Sequence, residues 1–156
     1  MSASAARIGL ESPDQPEVIA LIAELDAYQR SLYPPESNHF VDIASLCRPH
    51  VLFAVARDAG GAAVACGAVV LAAGQGEIKR MFVSPRARGQ GLAGALLQRL
   101  ESEARARGCR ALMLETGIHQ HEALALYERG GYRRRGPFGG YAADPLSVFM
   151  AKALDD

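Results

Sequence analysis

The sequence predicts an α/β (α+β) fold: a single domain over residues 1–156, with a mixed sheet of antiparallel flanks and one parallel strand junction, flanked by helices. Three observations lead there. Residues 51–83 hold three apolar, partly β-branched runs separated by short Gly-containing turns, the pattern of an antiparallel meander. Residues 77–115 then read as strand, Gly-rich loop, long amphipathic helix and strand, and a crossover of that length makes the two strands parallel. The 156 residues, 49% of them hydrophobic, suffice for one core and leave no room for a second domain.

Taken in order, residues 7–10 form a short first strand, and Ser12-Pro13-Asp14-Gln15-Pro16-Glu17 carries two overlapping helix starts. Val18, Leu21, Ile22, Leu25, Tyr28 and Leu32 recur at helical spacing and predict one buried face. Pro34-Pro35 cannot continue that helix. A short second helix is expected over 40–46. Strands are expected at 51–56 and 62–71, joined through Arg57-Asp58-Ala59-Gly60-Gly61, and at 77–83 after Gly74-Gln75-Gly76. In the long helix beyond residue 91, Leu92, Ala93, Leu96, Leu97, Leu100 and Ala104 face inward, while Glu101 with Arg105 and Glu103 with Arg107 are expected as exposed i,i+4 pairs. Gly108 stops it. A buried strand over 111–115, a helix over 120–129 ending at Gly130-Gly131, and a hairpin of 132–135 with 147–153 complete the sheet.

Lys plus Arg and Asp plus Glu both number 17, so nothing in the charge balance attracts nucleic acid or membrane, and any anion site is local. Arg133-Arg134-Arg135 has no interleaved aromatics and reads as an exposed strand edge or a salt-bridged face. The three cysteines, Cys47, Cys66 and Cys109, have no metal-ligand spacing, and His119 and His121 join no recognised set, so no metal is expected. Cysteine usage points to a reducing compartment, the cytoplasm by default. Residues 1–7 lack the basic start and apolar core of a secretory signal, so none is expected, and no apolar run comes near the ~20 residues a membrane span needs.

Functional chemistry concentrates at residues 86–94. Arg86, Arg88, Gly89 and Gly91 directly precede a helix, so free N–H groups and the positive end of its dipole converge there as an anion site. Glycine lets a phosphate approach the main chain. Gly89-Gln90-Gly91-Leu92-Ala93-Gly94 also fits the dinucleotide G-x-G-x-x-G pattern, with Glu115 ending the next apolar run. That reading ranks second, because Ser84 to Arg88 intervene between strand and first Gly and only one strand-helix-strand unit is present.

Met81-Phe82-Val83 followed by Arg86-x-x-Gly89-x-Gly91 resembles the acyl-CoA pyrophosphate loop of the GCN5-related N-acetyltransferase (GNAT) superfamily. Gln120-x-x-Ala123-x-x-Leu126-Tyr127-x-x-x-Gly131-Tyr132 resembles that superfamily's later helix and strand, with Gln120 where the family usually has Asn. The resemblance implies a GNAT-like mixed sheet and an acetyl-CoA-dependent N-acetyltransferase. It places coenzyme A phosphates on the N–H groups of Arg88, Gly89, Gln90, Gly91, Leu92 and Ala93, with the Arg86 and Arg88 side chains as charge partners. Met81, Phe82 and Val83 would offer main-chain groups to the pantetheine arm, one N–H polarising the thioester carbonyl, and Gln120 would lie beside that arm. Tyr127 corresponds to the tyrosine that protonates the leaving thiolate, and Glu77 stands where some relatives place a carboxylate acting through water. For the base, Glu115, His39, His119 and His121 remain alternatives. A non-catalytic acyl-CoA-binding module is the alternative from another class.

The same fold admits its acceptor between residues 33–39 and 138–144, which implies Tyr33, Glu36, His39, Tyr141 and Asp144 as acceptor-binding residues. Aromatic rings with one carboxylate on each wall suit a small organic cation. The expected acceptor is therefore a small free amine, an amino acid or polyamine-like compound, rather than a protein lysine or a hydroxyl. The oligomeric state stays open, a homodimer included.

Overall fold

The computed structural model describes residues 6–37 and 42–154. Seven strands, β1 (Arg7–Leu10), β2 (Val51–Arg57), β3 (Ala63–Ala72), β4 (Gln75–Val83), β5 (Ala111–Gly117), β6 (Arg133–Arg135) and β7 (Ser147–Ala153), form one sheet in the order β1-β2-β3-β4-β5-β7-β6. Helices α1 (Pro16–Leu32), α2 (Ile43–Leu46), α3 (Leu92–Ala106) and α4 (His121–Arg129) cover it. Among the described residues, β4 and β5 are the one pair in parallel, with α3 as their crossover. With one parallel pair, the sheet lacks the doubly wound halves that the dinucleotide reading needs.

Both faces of the central strands are covered. Val18, Leu21, Ile22 and Leu25 of α1 pack on Phe53, Val55, Cys66, Ala68 and Phe82. Leu92, Leu96, Leu97, Leu100 and Ala104 of α3 pack on Leu52, Ala54, Ala56, Val69, Leu112 and Leu114. Burial on two faces explains why the strands read as nearly unbroken apolar runs. Among the described residues, no helix is long and apolar enough to cross a membrane.

Three local expectations need correction. The second helix begins at Ile43, capped by Asp42, whose side chain accepts the Ser45 N–H at 2.8 Å; residues 40 and 41 lie outside the described residues. Tyr28 is exposed and Leu32 only half-buried, because the last turns of α1 leave the sheet and pass over a cleft. Glu101 is not an exposed partner of Arg105. It is buried, accepts the Tyr132 hydroxyl at 2.8 Å and pairs with Lys152 at 3.1 Å, since the chain doubles back at Gly131 (φ +96°) and brings Tyr132 beneath α3. Glu103 does pair with Arg107, at 2.7 Å.

Candidate acyl-transfer site

The cleft follows from sheet register. β4 and β5 pair only from Gln75↔Ala111 to Ile78↔Leu114; beyond that β5 continues on β7, through Glu115↔Phe149 to Gly117↔Ser147, while β4 stays on β3. The strands therefore diverge, and the main chain from Lys79 to Val83 is left without a β5 ladder partner. At the same place β4 bulges. Register with β3 jumps from Cys66↔Phe82 to Ala68↔Lys79, so Arg80 and Met81 oppose the single residue Gly67. Arg80 takes φ +60°, a left-handed conformation rare for a residue with a side chain.

One groove of about 790 Å³ runs along this exposed edge. It is lined by Met81, Phe82 and Val83, by Arg88, Gly91, Leu92 and Ala93 at the start of α3, and by Gln120, Ala123 and Tyr127 of α4 and its cap. Gly89 (φ +80°) and Gly91 (φ +74°) are both left-handed, and Gly91 is the N-cap of α3 without a side-chain cap, so the first N–H groups of α3 open toward the groove. A second, smaller pocket of about 80 Å³ lies where β4 and β5 diverge, lined among others by Tyr33, Ser37, Lys79, Arg80 and Glu115. Both cavities include Met81, Gln120, Ala123 and Tyr127 in their walls.

Tyr127 thus stands at the junction. It is 4% exposed, its ring edge-on to Tyr132 at 5.7 Å, and burial holds its phenol well above the ordinary tyrosine range. Gln120 caps the turn before α4: its side-chain oxygen accepts the Gly117 N–H at 3.1 Å and the Thr116 hydroxyl at 3.4 Å. This leaves the carboxamide at the mouth common to both cavities.

The family model described as "Acetyltransferase (GNAT) family" matches residues 18–132. The chain belongs to the GNAT acetyltransferase family. It is 52% identical over 149 residues to the IAA acetyltransferase of Azospirillum brasilense, covering 94% of this chain and 97% of that one. With the uncharacterized N-acetyltransferase YsnE of Bacillus subtilis it shares 37% over 141 residues, covering 88% and 93%. Among solved structures, a Klebsiella pneumoniae protein put forward as an acyl-CoA N-acyltransferase superposes with a TM-score of 0.83 at 46% identity, over 96% of this chain and 98% of that one.

Not every residue expected at the GNAT site lies there. Arg86 turns away from the groove: it donates to Glu24 at 3.1 Å, Ser84 at 2.7 Å and the Ala63 carbonyl at 2.9 Å, tying the loop to α1 and β3. Arg88 lines the groove, with its Nε on the Val83 carbonyl at 3.2 Å. Gly89 and Gln90 are exposed on the loop, outside the groove wall.

On the acceptor side stands Glu77, expected as a carboxylate acting through water. It lines neither cavity; its carboxylate accepts the Tyr141 hydroxyl at 2.5 Å and pairs with Lys79 at 3.3 Å. Tyr141, expected to touch the acceptor, also donates toward this cluster rather than lining the pocket, hydrogen-bonds with Lys79, and packs edge-on against Phe138 and Phe149. Glu36 is exposed on a 3-10 turn, and His39 lies outside the described residues. Asp144 accepts the Ser37 hydroxyl at 2.7 Å and the Leu146 N–H at 2.8 Å, so the two expected walls do face each other, but this carboxylate joins them. Tyr33 lines the pocket. It stacks on His119 at 5.6 Å, accepts the His119 N–H at 3.1 Å, and occupies the space beside Gly117, where any Cβ would lie 1.7 Å from its oxygen. Sequence reasoning missed Lys79 and Arg80 as pocket residues; their place directly before Met81, Phe82 and Val83 was the available signal.

Proposed function

We propose that the protein is an acetyl-CoA-dependent N-acetyltransferase that moves an acetyl group directly to the primary amine of a small molecule within one ternary complex. The observation that carries this reading is the meeting of groove and pocket at Met81 and Tyr127, which gives two substrates a common point. Acetyl-CoA supplies the activated carbonyl when bound. The N–H groups from Arg88 to Ala93 and the Arg88 guanidinium would hold its phosphates, the main chain of Met81, Phe82 and Val83 its pantetheine arm. One bulge N–H faces the carbonyl oxygen as charge develops there. Glu115, which lines the pocket, receives the amine proton as nitrogen attacks, and Tyr127 donates its own as the carbon–sulfur bond breaks. The burial that raises the phenol also raises the basicity of a thiolate leaving into the same dry site, so the pair stays matched.

Lys79, paired with Glu77 yet part of the pocket wall, can also meet an acidic group, and Glu115 on the other wall an ammonium, which favours an amine that also bears an acidic group over a polyamine. A pocket near 80 Å³ has room for a few heavy atoms beyond the transferred group. The cytoplasm remains the proposed location.

The test is thiol release from acetyl-CoA with a panel of amines, their carboxylated counterparts, peptides, alcohols and IAA, the last after the Azospirillum relative's name. Small amines with an acidic group should give the highest kcat/KM, and Lys79→Met should raise their KM about 10-fold or more while leaving coenzyme A binding unchanged. Stimulation by alcohols, peptides or IAA but no small amine would overturn the acceptor assignment. Coenzyme A binding with no stimulated release by any acceptor would favour a binding module.

A further inference from the structure

A residue with a side chain at φ +60° inside a strand needs something to keep it there, since glycine alone takes that conformation without strain. Arg80 is that residue. Its guanidinium is 6% exposed and meets Asp26 of α1 at 2.5 Å, an ion pair that spans from helix to bulge. The Arg80 carbonyl accepts the Cys66 thiol at 3.3 Å, and burial pushes that thiol's pKa up to about 12, so it keeps its proton for the bond. Met81 completes the arrangement by filling the place beside Gly67, where a Cβ would sit 2.2 Å from its sulfur.

We propose that the Asp26–Arg80 ion pair is a clamp that holds the β4 bulge in its left-handed conformation and so aims the main-chain N–H groups at Met81 and Phe82 into the junction of groove and pocket. Arg80 and Asp26 are positioning residues: α1 sets the donor direction in β4 through them. The inference rests on the acetyltransferase reading, because the aimed N–H is worth most as negative charge grows on a carbonyl oxygen. A guanidinium that only binds an acceptor, or only fills space, makes a different prediction from a clamp. Removing the side chain while keeping a Cβ leaves the strain with nothing to hold it; removing the Cβ as well abolishes the strain.

The experiment compares kcat and KM for both substrates in Arg80→Ala, Arg80→Gly, Arg80→Lys, Asp26→Asn and the double variant Asp26→Asn/Arg80→Gly, with folding followed by circular dichroism. Arg80→Gly should turn over at least 10-fold faster than Arg80→Ala. Asp26→Asn should lower kcat about 10-fold with Arg80 present and less than 2-fold in the Arg80→Gly background, with KM for acetyl-CoA little moved throughout. Arg80→Lys should retain more activity than Arg80→Ala. Equal loss in Arg80→Gly and Arg80→Ala, or effects of Asp26→Asn that multiply independently of Arg80, would overturn the clamp. Should Asp26→Asn not fold, the glycine–alanine comparison decides alone. Turnover of the unaltered protein is the separate check on the acetyltransferase reading: if no acceptor supports it, that reading fails before any variant is compared.

Discussion

Tyr127→Phe should fold like the unaltered protein, bind acetyl-CoA with little change, and lose about 10²-fold in kcat, a loss of about 2.7 kcal/mol in transition-state stabilisation. The ring makes the packing: it lies edge-on to Tyr132 within a core shared with Leu97 and Leu124, and phenylalanine keeps all of that. Only the hydroxyl proton is lost. Because burial alone raises this phenol, it stays protonated beyond the ordinary tyrosine pKa of about 10, and as the donor must carry its proton, activity should not fall on the alkaline side below about pH 10 on its account. Single-turnover rates with saturating acceptor measure the effect. An unchanged rate in the phenylalanine variant makes Tyr127 a core residue and nothing more.

Gly91→Val should weaken coenzyme A binding by about 10²-fold or more without unfolding the chain. Gly91 has φ +74° as N-cap of α3, and a Cβ there would touch nothing within 4 Å, so the cost is in the backbone and not in a clash. A β-branched residue avoids that conformation and moves toward negative φ, which swings the first N–H groups of α3 out of the groove wall. Gly108 provides the matched control: it has φ +81°, is equally uncrowded and sits at the other end of α3. Gly108→Val carries a comparable backbone strain and should cost stability while leaving coenzyme A affinity intact. Calorimetric titration of both variants separates loss of the anion site from general strain, and equal affinities would make the loop only a turn.

The fold was legible because its information is local. Strand runs, the helical spacing of Val18, Leu21, Ile22 and Leu25, and the glycine stops each act within a few residues, and the crossover length decides the parallel pairing. The glycine turn before α3 and the helix that carries Tyr127 were legible for the same reason, as contiguous motifs. What escaped was decided by distant partners. Arg86 follows Glu24, 62 residues away, and no local pattern tells a guanidinium whether to face a phosphate or a helix. Glu101 looks like a surface residue until Tyr132 and Lys152, 31 and 51 positions on, close over it. Glu77 reads locally as a lone carboxylate, and no local pattern shows that the Tyr141 hydroxyl, 64 positions later, donates to it. The left-handed Arg80 contradicts local preference outright, which is how a site that stores strain differs from the scaffold around it.

The central claim is direct transfer at the junction of groove and pocket, and mass spectrometry with isotope-labelled acetyl-CoA tests it most directly. Mixed with protein alone, labelled acetyl-CoA should leave the chain unacetylated and release almost no free thiol. On addition of a small amine, the label should appear on the amine nitrogen, one acetyl group for each thiol released. Label retained covalently on the protein, or thiol release at the same rate with and without acceptor, would contradict the account.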